Sequence, residues 1–338
     1  MNQMKEPQHT EASKQLAKII ICISHKTVFK TTAIVNMAYL KAVQGYRVAV
    51  YDTDGIPAAQ MFLEACVEET EKRIIKNKSR IKFLTDKGRM VSQEIRNQLE
   101  TDEFYLENRP AVISKSLYEL AAEIQFLKRD YGHYDYIFID VPAKVLDSQN
   151  KPIKEIKRLM SFSDLVITPY KGDSQYTFTA VTVSDIIENL KCDAENNGGK
   201  FKARVRSVLA FDPARIKANT KAVNAQMTLT DTSTTSARLA RNEERKALKE
   251  QDRIEQMKAH IKIFDEAYGN NQKPISAPMV FRSVYPNQFN KGESIYTAST
   301  ESAKIAQAEF TAVVDAIIAA LDETDTVEIA ETNTTITN

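Results

Sequence analysis

The sequence predicts an α/β protein built on a mostly parallel, doubly wound sheet with helices on both faces, and three observations support this prediction. Short apolar runs rich in β-branched residues, such as KIIICI at 18–23, are typical of parallel strands that are buried on both faces. These runs alternate along the chain with helical segments, as parallel strands and their crossover helices do. With 338 residues, 43% of them apolar, the chain can bury a substantial core in one large domain or two.

The order of the elements follows from these patterns. Strands are expected at 18–23, 46–54, 134–142, 163–170, 203–211 and 278–286. Helical segments are expected from Thr31 to a C-cap at Gly45, across the charge-rich 58–108, at 114–132 with Ser114 or Ser116 as N-cap, at 179–190 and at 301–321.

The domain organisation inferred from composition is a single domain at 17–321 between two polar ends. Residues 1–16 are predicted to form a flexible arm, and the acidic, Thr-rich 322–338 a disordered tail. Two helical insertions into the domain are expected, at about 58–108 and 226–268.

Composition excludes several classes of protein. No apolar run approaches the roughly 20 residues that cross a bilayer, and the polar N-terminus resembles neither a secretory signal nor a transit peptide. The isolated cysteines Cys22, Cys66 and Cys192 show no metal or disulfide spacing, which predicts a reducing, cytoplasmic location. The net charge of +1 shows that the chain as a whole is not a polycation.

Four polar features follow predicted strands. They are the loop 24–32, the pair Asp52 and Asp54, Asp140, and the turn 169–175. Because the carboxyl ends of parallel strands share one edge of a sheet, and ligands bind beyond that edge, these features are expected to converge on one site.

The loop SHKTVFKTT at 24–32 lies between a strand and a helix, which is the layout of a phosphate-binding loop. In that role the helix N-terminus and backbone N–H groups bind phosphate, Lys30 contacts the β- and γ-phosphates, and Thr31 coordinates Mg²⁺. Asp140 would support the metal through water. The alternative is structural, since Lys30-Thr31-Thr32 can equally be a helix start with a threonine cap.

Four blocks of the sequence resemble the ParA/MinD family of deviant Walker-type P-loop ATPases. The first block, 18–55, matches the family's strand, Lys-Thr-Thr, helix and Asp-x-Asp strand at Lys30, Thr31, Thr32, Asn36, Ala38, Leu40, Gly45, Val48, Asp52 and Asp54. The others are YDYIFIDVPA at 134–143, SDLVITPYKGDSQ at 163–175 and VYPNQFNKGESIY at 284–296. The resemblance covers most of 17–321.

This resemblance implies a site for ATP or ADP with Mg²⁺. Lys30 and Asp54 would act in catalysis, Asp54 by orienting the attacking water, and Thr31, Asp54 and Asp140 would hold the metal. The nucleotide would be bound by His25, Lys26, Thr27, Val28, Phe29, Lys30, Thr31, Thr32 and Asp212. The alternative for Asp52 and Asp54 is that they are simply polar residues that keep a loop soluble. Asp212 before Pro213 equally indicates an ordinary turn.

The loop departs from the family pattern because it contains no glycine. His25 stands at the signature lysine, Lys26 and Thr27 at two glycines, and Phe29 at the last glycine. Glycine there permits a positive φ or close approach of phosphate, at a cost of roughly 1 kcal/mol for another residue, and Phe29 is expected to place its ring beside the phosphate path. Weak nucleotide binding, binding in a changed pose and loss of binding all stay open.

A basic segment at 200–262 holds fifteen Lys and Arg residues against seven Asp and Glu residues. The resemblance implies nonspecific DNA binding through its helical insertion, with candidate residues Arg238, Arg241, Arg245, Lys246, Lys249 and Arg253. The alternative is a solvated helix stabilised by internal Glu–Lys pairs.

Two functions from different classes follow. The first is a partition or positioning protein that binds ATP, dimerises, coats DNA and acts with a centromere-binding or adaptor protein to move a plasmid, chromosome or other cargo; it would be a slow Mg²⁺-dependent ATPase associated with the nucleoid. The second is a non-catalytic scaffold or filament-forming module that has lost hydrolysis. The Asp-x-Asp pair argues against an unrelated P-loop kinase, and the acidic C-terminus argues against membrane recruitment.

Overall fold

The computed structural model describes residues 16–24, 29–171, 174–211 and 235–323, without the side chains of 174–179 and 235–238. Apart from residues 16, 322 and 323, the predicted arm and tail lie outside these ranges. So do 226–234, the beginning of the second predicted insertion.

A parallel sheet forms the centre of the fold. Its strands follow the spatial order β3-β2-β4-β1-β5-β6-β7, with β8 also paired to β6, and every pair of named strands is parallel. The strands are β1 (Lys18–Cys22), β2 (Val48–Asp52), β3 (Ala111–Ser114), β4 (Tyr136–Asp140), β5 (Leu165–Tyr170), β6 (Arg204–Phe211), β7 (Lys273–Pro274) and β8 (Met279–Val280). The predicted α/β class with a parallel sheet is confirmed.

Helices connect these strands and cover the sheet. They are α1 (Lys30–Val43), α2 (Ala58–Asp86), α3 (Gln93–Asn108), α4 (Leu117–Glu123), α5 (Leu127–Asp130), α6 (Lys154–Phe162), α7 (Ser174–Asn196), α8 (Thr235–Tyr268), α9 (Val284–Phe289) and α10 (Glu301–Asp322), with short 3₁₀ turns at Ile124–Phe126 and Ile295–Thr297. Gly45 follows α1 with a φ of 86°, a backbone conformation that suits glycine after a helix.

Several local features differ from the sequence predictions, which did not include α6, β7 or α9. The helix predicted at 114–132 is divided into α4, a 3₁₀ turn and α5, and Ser116 forms its N-terminal capping box with Glu119. The strand predicted at 278–286 is only two residues long, Met279–Val280, and the chain enters α9 at Val284. The half-buried edge strand β3 is absent from the sequence predictions, since four residues carry little pattern.

The core lies on both faces of the sheet. In β1, Ile20 and Cys22 pack with α1 and α10 on one face, whereas Ile19 and Ile21 pack with α4, α6 and α7 on the other. All four are inaccessible to solvent. This two-sided burial explains why the strand sequence is continuously apolar.

A buried ion pair fixes α2 against α3. Arg73 donates two hydrogen bonds to Asp102, at 3.0 and 2.9 Å, and a third to Glu293 at 3.2 Å. Gln98 donates to the same Asp102 carboxylate at 2.9 Å. Since the Asp102 side chain is 0% exposed and that of Arg73 is 18% exposed, the pair is held in a region of low dielectric.

Replacing Asp102 with alanine is expected to lower the free energy of unfolding by up to about 3–5 kcal/mol, because it removes two of the three hydrogen bonds from the Arg73 guanidinium to carboxylates and leaves only that to Glu293. Urea denaturation measures the change. The matched control is Glu69→Ala, which removes the partner of the exposed Lys72 at 2.6 Å and should cost no more than about 1 kcal/mol. Equal losses in the two variants would contradict the assignment of the Arg73 pair as a structural clamp.

Candidate functional site

Three parallel strands bring their last residues into one row at the carboxyl edge of the sheet. The register pairs Cys22 of β1 with Asp140 of β4, and Asp140 with Asp52 of β2. All three side chains are buried. Burial raises the pKa of the Cys22 thiol, so the thiol stays protonated and the two carboxylates are the polar groups that this row presents.

The carboxylate of Asp140 is the centre of the row. Its Oδ2 accepts a hydrogen bond from the Thr31 hydroxyl at 2.7 Å, while its Oδ1 is buried and has no hydrogen-bond partner among the described residues. Burial raises the pKa of Asp140 to about 6; the Thr31 hydrogen bond and Lys30 act against this rise, and Asp52 and Asp54 add to it. The predicted lysine, threonine and aspartates are therefore close enough to interact through their charges and hydrogen bonds.

Lys30 is the first residue of α1 and lies close to this row. It is 6% exposed, and its charge acts on both Asp140 and Cys22. The preceding residue, Phe29, supplies no side-chain hydrogen bond to the helix, so the N–H groups of the first turn are not capped by that side chain. An ammonium group beside the N-terminus of a helix favours an anion at this position.

Phe29 occupies the left-handed backbone region, with φ 51° and ψ 13°. This is the conformation that glycine adopts at low cost and that strains other residues. Its ring makes edge contacts with Phe281 at 5.1 Å and Tyr285 at 4.9 Å between centroids, as part of the core around α1. Aromatic packing therefore offsets the backbone strain at the position where the resembling family has glycine.

Asp52 and Asp54 have different environments. Oδ2 of Asp52 accepts the backbone N–H groups of Ala59 and Gln60 at 2.8 and 3.0 Å, and its Oδ1 accepts that of Asp54 at 3.1 Å. Asp52 thus binds the first turn of α2 and shapes the 52–54 turn, whereas Asp54 is exposed beyond it. Asp54 is the carboxylate of this pair that is accessible to water.

Thr53 joins β2 to β4 at the same place. Its N–H and its hydroxyl both donate to the carbonyl oxygen of Asp140, at 3.1 and 2.7 Å. The main chain of Asp140 is therefore held from the β2 side while its carboxylate is held by Thr31 from α1.

Asn36 anchors the other side of α1. Its Nδ2 donates to the carbonyl of Thr32 at 2.8 Å, and its Oδ1 accepts from the Ser294 hydroxyl at 2.9 Å and from the N–H of Ile295 at 3.0 Å. The first and fourth blocks of the sequence motif, far apart in the chain, meet through this one buried amide.

The described residues can be tested for a fit to Mg²⁺. No group of three His, Cys, Asp or Glu side chains among them could hold a metal by itself. Mg²⁺ usually takes one or two protein oxygens, with phosphate and water completing its coordination. The Thr31 hydroxyl and the unpaired Oδ1 of Asp140 supply such oxygens, so these residues fit Mg²⁺ bound together with a phosphate ligand.

Other predicted site residues lie outside this cluster or outside the described ranges. His25, Lys26, Thr27, Val28 and Asp212 fall in undescribed segments, as does the side chain of Arg238. The remaining candidate DNA-binding residues lie on α8, where Lys246 pairs with Glu243 at 2.6 Å and Arg253 with Glu250 at 3.4 Å.

Sequence reasoning missed two roles at this edge. Thr53 carries no motif signal, because a threonine inside Asp-x-Asp can point anywhere until the strand register is known. The hydrogen bonds of Asp52 to Ala59 and Gln60 carry no sequence signal either, because Asp52 lies six residues before Ala58 and the N-cap position belongs to Pro57.

No protein-family model and no curated protein matches this chain. Similar solved structures include the apo form of McdA from Cyanothece, at 13% identity, covering 90% of this chain and 99% of that one with a TM-score of 0.48. The MinC:MinD cell division complex of Aquifex aeolicus is similar at 14% identity, 91% and 97% coverage and a TM-score of 0.46. The ParA of pnob8 is similar at 18% identity, 91% and 99% coverage and a TM-score of 0.43.

In the part of the chain that the structure describes, no helix combines the length and the apolar character needed to span a membrane.

The backbone strain at Phe29 can be measured by comparing Phe29→Gly with Phe29→Ala. Both variants lose the ring contacts and should be less stable than the original protein. Because alanine keeps the left-handed penalty and glycine does not, Phe29→Gly should be the more stable of the two by about 1 kcal/mol. Thermal and urea unfolding give the difference; a more stable alanine variant would show that position 29 is not left-handed in solution.

The ionisation of Asp140 makes stability depend on pH. Its pKa rises from 3.8 in the unfolded chain to about 6 in the folded protein, so the folded state binds the proton more tightly. The resulting stabilisation is complete below pH 3.8 and is lost as the pH rises through about 6. Relative to Asp140→Asn, the ligand-free protein should therefore lose about 2–3 kcal/mol between pH 4 and pH 7. A stability difference that stays constant over this range would refute the raised pKa.

Proposed function

We propose that this chain is a ParA-like partition or positioning protein that binds ATP with Mg²⁺ at the edge formed by Lys30, Thr31, Asp54 and Asp140. The observation that carries the proposal is the hydrogen bond between Thr31 and the buried Asp140, whose second oxygen has no partner among the described residues. A purely structural helix start would not need a buried carboxylate with an unsatisfied oxygen, because leaving that atom unpaired costs free energy.

The roles of the residues follow from their positions. Lys30, at the start of α1, would bind the β- and γ-phosphates, together with the N–H groups of the first turn. Thr31 and Asp140 would hold Mg²⁺, which when bound supplies charge that stabilises the transferring phosphoryl group. Asp54, the exposed carboxylate, would orient the attacking water, and Asp52 would keep Asp54 in place through the turn that it caps.

The raised pKa of Asp140 supports the same assignment. A carboxyl group with a pKa of about 6 is close to half protonated in mildly acidic solution, and a neighbouring cation would stabilise its ionised form. Metal and nucleotide binding are thus expected to strengthen as the pH rises above 6.

The wider activity in this proposal is that of a slow ATPase which dimerises, binds DNA nonspecifically and is released by an adaptor or centromere-binding protein. The candidate DNA contacts on α8 are Arg238, Arg241, Arg245, Lys246, Lys249 and Arg253. Ion pairs with acidic neighbours involve Lys246 and Arg253, so Arg241, Arg245 and Lys249 would provide most of the attraction to phosphate.

A second candidate function rests on Phe29. Its ring is part of an aromatic cluster with Phe281 and Tyr285, which gives the loop end a packing role independent of any ligand. In this alternative the fold is a non-catalytic scaffold, and the phosphate site is inherited but not used.

Nucleotide binding separates the two candidates. Calorimetric titration with ATP and Mg²⁺ should detect binding to the original protein, and Lys30→Ala should weaken it about 10- to 100-fold through the loss of a charged hydrogen bond. Lys41→Ala is the matched control, because Lys41 lies at the other end of α1 with a similar exposure, 5% against 6%. Absence of binding at millimolar ATP would favour the scaffold, as would binding that Lys30→Ala leaves unchanged.

A further inference from the structure

The strongest concentration of positive charge lies on α2, outside the segment assigned to DNA. The α2 tip, defined as residues 72–89, contains eight Lys and Arg residues and a single acid, Asp86. The candidate DNA-binding stretch of α8, 238–253, contains six Lys and Arg residues against four acids. The α2 tip therefore has the larger excess of positive charge by a wide margin.

Most cations of the α2 tip have no acidic partner. Arg73, Lys72 and Lys78 pair with Asp102, Glu69 and Glu103. Five others form no ion pair with any described residue, and all five are exposed: Lys76, Arg80, Lys82, Lys87 and Arg89. On α8, by contrast, Glu–Lys and Glu–Arg pairs within the helix neutralise part of the charge.

Three of the free cations form a straight row. Lys76 and Arg80 lie on one face of α2 together with Phe83. Lys87 follows the last residue of the helix, its N–H still donates to the carbonyl of Phe83 at 3.2 Å, and its spacing continues the same face. We call Lys76, Arg80 and Lys87 the basic row; it spans about 16 Å at 1.5 Å per residue. The half-buried Ile81 lies on the opposite side of the helix.

We infer that the basic row is a contact surface for the phosphate backbone of double-stranded nucleic acid. A linear array of unpaired cations complements a regular polyanion, and such a surface needs no base-reading side chains. Binding would release counterions from the phosphates, so its strength would depend steeply on salt.

Charge and packing argue against other partners. An interfacial helix inserts a broad apolar face into the headgroup region, but the half-buried side of α2 already packs along α3. Phe83, 57% exposed, is the only aromatic residue of the α2 tip. A single-stranded partner would require several stacking aromatics. The duplex backbone is thus the polyanion that this surface fits.

The basic row lies far from the nucleotide site. Asp52 caps the first turn of α2, and Lys76 lies eighteen residues beyond Ala58, about 27 Å along the helix axis. The inference deepens the DNA contact of the proposed function and rests on it, but nucleotide binding can be measured separately on the same variants.

The test compares two triple variants with equal changes of charge. One is Lys76→Gln with Arg80→Gln and Lys87→Gln in the basic row; the other is Arg241→Gln with Arg245→Gln and Lys249→Gln on α8. The full chain is titrated against a labelled mixed-sequence DNA duplex by fluorescence anisotropy at several salt concentrations. Circular dichroism verifies that each variant keeps the helical content of the original protein.

The row variant should bind the duplex at least tenfold more weakly at 100 mM salt, and its plot of log affinity against log salt should be shallower by about 2 to 3, one for each lost phosphate contact. The α8 variant should show a smaller loss of affinity and a smaller change in the salt slope. If the row variant keeps full binding to the duplex, the inference is overturned. If only the α8 variant loses binding, the inference is also overturned, but the DNA binding in the proposed function is supported.

Two further outcomes separate this inference from its alternatives. Binding of the original protein to vesicles of phosphatidylcholine and phosphatidylserine, without binding to the duplex, would overturn it in favour of a membrane surface. ATP titration of the row variant should match the original protein; a failure of ATP binding in both proteins would count against the proposed nucleotide site and leave the duplex result intact.

Discussion

The buried carboxylate of Asp140 is the constraint on which this edge of the molecule depends. Its main chain accepts two hydrogen bonds from Thr53, and its side chain accepts one from Thr31. These hydrogen bonds hold strand β2 and the start of helix α1 against the end of β4. Its second carboxylate oxygen is buried and has no partner among the described residues, and a buried polar atom without a partner is costly.

The two aspartates of the Asp-x-Asp motif have different structural roles. Both carboxylate oxygens of Asp52 accept hydrogen bonds from backbone N–H groups of α2 and of the adjoining turn. Asp52 therefore positions these backbone segments. Asp54 stays exposed and free to meet a ligand or water. At Phe29, the free-energy cost of the left-handed backbone is offset because the ring packs against Phe281 and Tyr285.

Helix α2 connects the two surfaces that this chain offers. It begins at the turn that Asp52 holds beside the candidate phosphate site, the Arg73–Asp102 pair keeps its middle against α3, and the cations without a partner among the described residues lie beyond that pair. The basic row lies beyond this pair and begins about 27 Å along the helix axis from the start of α2.

The sequence by itself determined the α/β class and the parallel strands predicted at 18–23 and 134–142, and it marked Lys30, Thr31 and Asp140 as candidates, because local periodicity and strand-end position are properties of the chain order. Tertiary structure decided the left-handed packing of Phe29, the role of Thr53, the shortness of β8 and the contrast between the cations of α2 and α8. Each of these depends on which distant residues become neighbours, such as the acid beside a given lysine or the strand beside a given edge, and strand register and helix packing set those neighbours only in the folded molecule.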